Sequence, residues 1–376
     1  MRVLHINCNY VGTELHRNMV RKLSALGIEN TVFCPIYNQD EKKIFLAQPN
    51  EKIAVCFKKH DRLLYFIKQK KIITKVRALI DANEFDLIHA YTLMTDGNIA
   101  RTLAKQYNKP YVVAVRDTDV NGFFRLKPYL RLRGIRIMRD ASAVFFLSET
   151  YRTEVLQHFV PKQYREEISA KTHVIPNGIN DFWLDNRFTT RDILKSQNSF
   201  EQRKLKVVCV GRINKRKNIP IVQLALSHLR EKGWTTSMEV IGKTEDEAEL
   251  EKIQLDDHTV VLPPVDQYTL INHYRNADVF VLASHTETFG LVYAEAMSQA
   301  LPVIYTRGQG FDGHFPEGEV GFSVNDNDSQ EIADAIERIC KDYRRIATNA
   351  VVQCRRFNWD DICKTYQLLY KRILGE

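Results

Sequence analysis

A chain of 376 residues with 44% apolar and 27% charged residues has the balance of an ordinary soluble globular protein, and its length predicts two domains, each with its own core. No run approaches the roughly 18 uninterrupted apolar residues of a membrane span, which excludes a membrane-spanning helix of that kind. The formal net charge of +8 is uneven: residues 1–190 carry 30 Lys+Arg against 19 Asp+Glu, and the remainder 24 against 27.

The chain opens directly on a strand, VLHIN, without the charged, apolar and cleavage regions of a secretion signal, so a cytoplasmic protein is expected. A helix follows over about Glu14 to Leu26, then the strand-like segments ENTVFCP, DLIHAY, YVVAV and SAVFFL with helical runs between them. Such alternation predicts a parallel sheet covered on both faces. Two basic stretches, Phe57 to Arg77 and Phe123 to Arg139, interleave Lys and Arg with bulky apolar residues. They suit an anionic membrane surface or an acidic acceptor, or else form a solvated helix face over a normal core. Residues 187–204, RFTTRDILKSQNSFEQRK, are polar and aperiodic and read as a linker. A second alternating series follows: LKVVCVG, SMEVIG, HTVVLP, DVFVLAS and LPVIYT. The expected α/β architecture is two doubly wound Rossmann-like domains, 1–186 and 205–356, facing a cleft at the carboxyl ends of both sheets. The seven cysteines form no C-x-x-C pair and fit reduced, packed thiols.

Chemistry concentrates in SHTETFGLVYAEAMS, Ser284 to Ser298. Val279 to Leu282 predicts a buried strand, and the helix after it should open near Gly290, its free N–H groups forming an end that attracts phosphate. Glu295, in the helix, would accept from ribose hydroxyls, and Glu287, in the loop with Thr288, would reach the sugar beyond a diphosphate. Together they suit a nucleotide-sugar. After the strand LKVVCV, Gly211 ends the strand, and Arg212 and Lys217 supply a guanidinium fork and a mobile ammonium that neutralise a diphosphate without a metal. Lys215 and Arg216 beside them read equally well as a solvated turn.

GRINKRK, VIPNGIN, ETFGLVYAE, DLIHAYTLMTDG and the final FNWDDICKTYQLLYKRIL give nearly the whole chain a resemblance to retaining glycosyltransferases of family 4, which have the two-domain GT-B fold. The resemblance implies that Arg212 and Lys217 hold the donor diphosphate, Glu295 the ribose and Glu287 the donor sugar, and that the backbone at Phe289, Gly290 and Leu291 faces phosphate and sugar. It also implies that Gly12 and Thr13 stand in the place of the family's glycine-rich loop, and that Asn177 lies at the cleft. The C-terminal helix, 357–376 and headed by Trp359, would cross back to the first domain. This chain departs from the family pattern twice. Val11-Gly12 replaces a double glycine, and Arg116-Asp117-Thr118-Asp119-Val120-Asn121 stands where a His is usual. Arg116 would stabilise the departing phosphate or orient an acceptor, with Asp117 beside it at the reaction centre, and Asp117, Asp119 and Asn121 would bind acceptor hydroxyls, or else the segment is a polar loop with Asx turns. The resemblance implies a UDP-sugar donor, a glycan or glycolipid acceptor of bacterial surfaces, and no metal or cofactor. No nucleic-acid module is present. Two rivals stay open: a GT-B nucleotide-sugar epimerase, and a polyanion-binding or non-catalytic partner subunit.

Overall fold

The computed structural model describes residues 1–38, 48–188 and 198–376. The chain divides into two compact units, Met1–Gly178 with Trp359–Glu376, and Ile179–Asn358.

The first unit is built on a seven-stranded, all-parallel sheet in the order β3-β2-β1-β4-β5-β6-β7. Its strands are β1 (Arg2–Ile6), β2 (Glu29–Ile36), β3 (Glu51–Val55), β4 (Leu87–Ala90), β5 (Tyr111–Val115), β6 (Ala143–Phe146) and β7 (Thr172–Val174). The central strands β4, β5 and β6 are buried at every residue, as a parallel sheet covered on both faces requires. Helices Tyr65–Leu79 and Asp96–Tyr107 lie on one face, over Leu4, Ile6, Ile88 and Val113. Helices Glu14–Ala25 and Trp359–Leu374 lie on the other, over Val3, Leu87 and Val112, with Trp359 buried among them. The C-terminal helix thus belongs to the first unit. Gly178 is required where the chain leaves it, because a Cβ there would stand 2.5 Å from the Trp359 ring.

The second unit has a six-stranded parallel sheet in the order β10-β9-β8-β11-β12-β13. These are β8 (Lys204–Val210), β9 (Thr235–Ile241), β10 (Thr259–Leu262), β11 (Val279–Leu282), β12 (Val303–Thr306) and β13 (Gly321–Val324). Both sheets reverse direction of winding between their first and fourth strands, β1/β4 and β8/β11, and ligands of such sheets bind beyond the carboxyl ends at that point.

Of the segment 187–204 read as a linker, 189–197 lie outside the described residues. Asn198–Glu201 form a helical turn, and Lys204 already pairs in β8. The break after Gly178 falls before the residue 186 expected from sequence, because the residues that follow pack into the second unit. Arg275 Nη2 and Gln299 Nε2 both donate to the Asn186 carbonyl, at 2.9 and 3.2 Å, and Phe188 N donates to Ser298 O at 3.0 Å.

Candidate functional site

In the second unit the strand β8 ends at Val210 and the chain turns through Gly211. That turn passes so close to β9 that a Cβ on Gly242 would stand 1.8 Å from Gly211 O. A single 3-10 turn, Lys215–Lys217, follows, and the Asn214 side chain caps it by accepting from Lys217 N at 3.2 Å. The turn lays the Lys217 stem over Gly211, where an added Cβ would come within 3.2 Å of Lys217 Cε. Lys217 Nζ then reaches Glu287 Oε2 at 2.6 Å, with both side chains buried. The two predicted site residues therefore meet as an ion pair.

The loop that carries Glu287 is fixed from several sides. Gln309 Oε1 accepts from Glu287 N at 3.0 Å, and Gly310 N donates to Glu287 O at 3.0 Å. Gly310 has no room for a side chain, since a Cβ would meet Thr288 O at 2.0 Å. Arg216 ties the same loop to the 3-10 turn: its Nη1 donates to Thr286 O at 2.8 Å and its carbonyl accepts from His285 N at 2.9 Å. Arg216 is thus a tether, more than the solvated turn residue that sequence left open. Gln309 and Arg216 had no distinguishing signal in the sequence, because a Gln in a Gly-rich loop and an Arg in a basic run are common.

The helix after the loop is Leu291–Ser298, with Gly290 at its N-cap, left-handed at φ +76 and without a side-chain cap. Its first backbone N–H groups thus point out of the helix end, carrying the partial positive charge of the dipole. Tyr293 donates its hydroxyl to Leu282 O at 2.7 Å, binding the helix to the end of β11, and its ring lies where a Gly290 Cβ would be. The Phe289 ring turns inward against His314 and Phe357, 5.4 and 5.5 Å between centroids, so only its backbone is available to a ligand. Thr288 N donates to Glu287 Oε1 at 3.2 Å. One turn along, the half-buried Glu295 carboxyl has no hydrogen-bond partner among the described residues, and burial pushes it up to about 7. Arg212 is exposed; its Nη1 meets Glu245 Oε1 at 2.9 Å, and Asn214 Nδ2 donates to the other oxygen of Glu245 at 2.8 Å.

In the first unit, Thr13 caps the helix Glu14–Ala25, its Oγ1 accepting from Leu15 N at 3.2 Å, and Gly12 closes the preceding turn by donating to Asn9 O at 3.2 Å. Arg116, just beyond β5, is buried. Its Nε donates to Tyr91 O and its Nη1 to Asn177 Oδ1, each at 3.1 Å. Asn177 is therefore brought to Arg116. Asp119 is committed to its own fold: its oxygens accept from the backbone of Leu93, Met94 and Arg116, each at 2.9 Å, and burial pushes the carboxyl up to about 6 against those bonds. This corrects the expectation that Asp119 presents itself to an acceptor. Asp117 Oδ1 takes hydrogen bonds from Tyr151 Oη, at 3.2 Å, and from Asn121 Nδ2. Asp117 and Asn121 thus act on each other, leaving the Asn121 Oδ1 without a partner.

Residues 190–352 match the family described as glycosyl transferases group 1, and residues 15–181 match glycosyltransferase family 4. The chain belongs to glycosyltransferase family 4. This family-4 glycosyltransferase is 24% identical to the alpha-monoglucosyldiacylglycerol synthase of Acholeplasma laidlawii, over 96% of this chain and 92% of that protein. It is 28% identical to the capsular polysaccharide biosynthesis glycosyltransferase CapM of Staphylococcus aureus, over 65% and 64%. Among solved structures, the sucrose-phosphate synthase of Thermosynechococcus elongatus superposes with a TM-score of 0.78 at 19% identity, over 100% of this chain and 99% of that one. Anabaena HepE in complex with UDP and glucose gives 0.68 at 19% identity, over 98% of each. These likenesses establish the GT-B fold.

Proposed function

We propose that the protein moves a sugar from a UDP-sugar to an acceptor hydroxyl with retention of anomeric configuration, without a metal ion, in the synthesis of a bacterial glycolipid or surface polysaccharide. The observation that carries this reading is the buried Lys217–Glu287 pair at the open start of the helix Leu291–Ser298. An arriving diphosphate competes for Lys217 Nζ and meets the helix N–H groups, where a negative charge is favoured. That exchange frees Glu287 to accept from the sugar hydroxyls, while Glu295 accepts from the ribose. Arg212, exposed and held by one carboxylate, adds a second cation to the leaving group.

In the reaction the bond from the anomeric carbon to the diphosphate oxygen breaks and a bond to the acceptor oxygen forms on the same face. The proton of the acceptor hydroxyl passes to the departing phosphate oxygen. Lys217 and the helix start stabilise the charge that develops there. The UDP preference draws on HepE, solved with UDP and with UDP-glucose, and the acceptor class on the names of the relatives above.

The acceptor side of this reading is a membrane surface. Among the described residues, no helix is long and apolar enough to cross a membrane. Leu63, Phe66, Leu126, Tyr129 and Leu132 are large, apolar and exposed. The two basic segments that carry them adjoin: the Tyr65 and Phe123 rings lie 6.0 Å apart, and the Arg133 guanidinium sits 5.0 Å above the Phe66 ring. One face thereby combines apolar side chains for an acyl boundary with cations for anionic headgroups.

The test is incubation with UDP-, GDP- and ADP-sugars and lipid or glycan acceptors, with and without chelator, followed by proton NMR of the anomeric centre. Transfer from UDP-sugar, insensitive to chelator and giving the donor's anomeric configuration, is expected. An inverted product, or an isomerised sugar nucleotide formed without acceptor, overturns it.

A further inference from the structure

We propose that Arg116, Asn7 and His16 form an oxyanion subsite in the first unit, which takes a phosphate or carboxylate group carried by the acceptor. The proposal rests on the transferase reading and specifies the acceptor it leaves open.

The strands β1, β4 and β5 are neighbours, and Asn7, Tyr91 and Arg116 follow their carboxyl ends. Side chains alternate along a strand, so counting from Val3, Leu87 and Val112 puts all three on the face covered by the helices Glu14–Ala25 and Trp359–Leu374. His16 comes from the first of those helices, its ring edge-on to Tyr91 at 4.8 Å. Tyr91 in turn gives its carbonyl to Arg116 Nε.

Each of the three residues holds a nitrogen with no partner among the described residues. Asn7 is wholly buried, and its Oδ1 accepts from Asn9 N at 2.9 Å, which fixes the amide and leaves Nδ2 without a partner. His16 is buried, Nδ1 has no partner, and burial together with the charge of Arg116 holds the ring uncharged, pushed down to about 3. Arg116 uses Nε and Nη1 on a carbonyl and an amide, and among the described residues no carboxylate lies within ion-pair distance and nothing bonds Nη2. The nearby acids are spent elsewhere. Asp119 holds three backbone N–H groups, Asp117 holds Tyr151 and Asn121, and Asp96 accepts from Cys8 N and Thr92 Oγ1.

A buried donor left unpaired costs about 1–3 kcal/mol, and an unpaired buried charge more. Asn7 Nδ2, and His16 Nδ1 in the tautomer that protonates it, are costly beside a guanidinium with no carboxylate partner unless a charged acceptor of several hydrogen bonds joins them, and an oxyanion is that acceptor. Asn177 contributes by holding the guanidinium still, so that the fork is presented already oriented.

The probe is inorganic phosphate, titrated calorimetrically into the full chain saturated with UDP. One phosphate per chain is expected, weakened about tenfold or more by Arg116→Gln, which removes a charge-assisted contact, and by Asn7→Asp, which sets a negative charge in the site. UDP affinity stays unchanged in both variants. If Arg116→Gln fails to fold, Asn7→Asp and His16→Gln decide the matter. Phosphate uptake that disappears once UDP saturates the protein assigns these groups to the donor diphosphate and overturns the proposal. Uptake indifferent to Asn7→Asp and His16→Gln overturns it as well. A protein that ignores UDP but takes up phosphate through Arg116 refutes the donor reading alone.

Discussion

Replacing Lys217 by Met keeps the stem that lies over Gly211 and removes the ammonium that Glu287 holds at 2.6 Å. Both side chains are about nine-tenths buried, so the carboxylate left behind has lost its counter-charge without regaining water. Breaking a buried pair from one side costs about 3–5 kcal/mol. For a unit the size of Ile179–Asn358, that lowers the melting temperature by about 6–20 °C. Removing the second charge too, in Lys217→Met/Glu287→Met, should recover most of the loss, because two apolar groups of similar length are nearly neutral relative to a buried pair. Transfer should not recover, since cation and carboxylate are both gone. Differential scanning calorimetry of the parent, both single variants and the double variant measures the coupling, and a donor-transfer assay on the same samples reads the chemistry. A Lys217→Met melt within 2 °C of the parent (about 1 kcal/mol or less) would show that the pair is solvated in solution. Transfer by the double variant at the parent's rate would remove both residues from the site.

Glu295 has a folded-state pKa of about 7, raised by burial above the unfolded carboxylate value of about 4.3. Between those values the folded state holds a proton that the unfolded state has lost, so stability contributed at this position falls as pH rises from about 4.5 to 7. UDP binding should move the opposite way, strengthening through pH 7 as the carboxylate forms, and Glu295→Gln should flatten that profile in calorimetry; a parent profile flat from pH 5.5 to 8 contradicts this. Gly290→Ala would place a Cβ 2.3 Å from the Tyr293 ring at φ +76. It should cost about 1–2 kcal/mol of backbone strain and about 1 more for the Tyr293 hydrogen bond to Leu282, and weaken UDP binding; an unchanged melt refutes it. Exchanging Leu63, Phe66, Leu126 and Leu132 for Ser, or Lys70 and Arg136 for Glu, should each lower co-sedimentation with anionic vesicles at low salt by about tenfold or more. Vesicle binding equal to the parent's in both variants rules out the membrane face.

Two-sided burial made the central strands readable. YVVAV, SAVFFL and DVFVLAS are apolar runs bounded by turn residues, and they became β5, β6 and β11. The edges were harder. β3 is EKIAV, half polar because a sheet edge is half solvated; β7 is three residues long; β13, GFSV, opens on a glycine. In the site, the helix start at Gly290 was legible because a glycine, a preceding strand and small helix residues coincide there. The meeting of Lys217 with Glu287, seventy positions apart in sequence, depends on β8 and β11 being neighbours in the sheet, which no local pattern encodes. Asp119 misled for a related reason: a carboxylate in a polar loop looks the same in sequence whether it faces a ligand or three backbone amides.

The second unit is inserted into the first, which is completed only by Trp359–Leu374, packed over Val3, Leu87 and Val112. During synthesis, therefore, the first unit to leave the ribosome is the last to close its core. Until the residues after Asn358 emerge, that apolar face is covered by the helix Glu14–Ala25 alone, while all of Ile179–Asn358 is already available to fold. The usual order, with the amino-terminal domain folding first, is reversed at the final step. A nascent chain stalled before Trp359 is then a client for chaperones through its older half, and a nonsense mutation late in the gene would spoil the part of the protein made earliest.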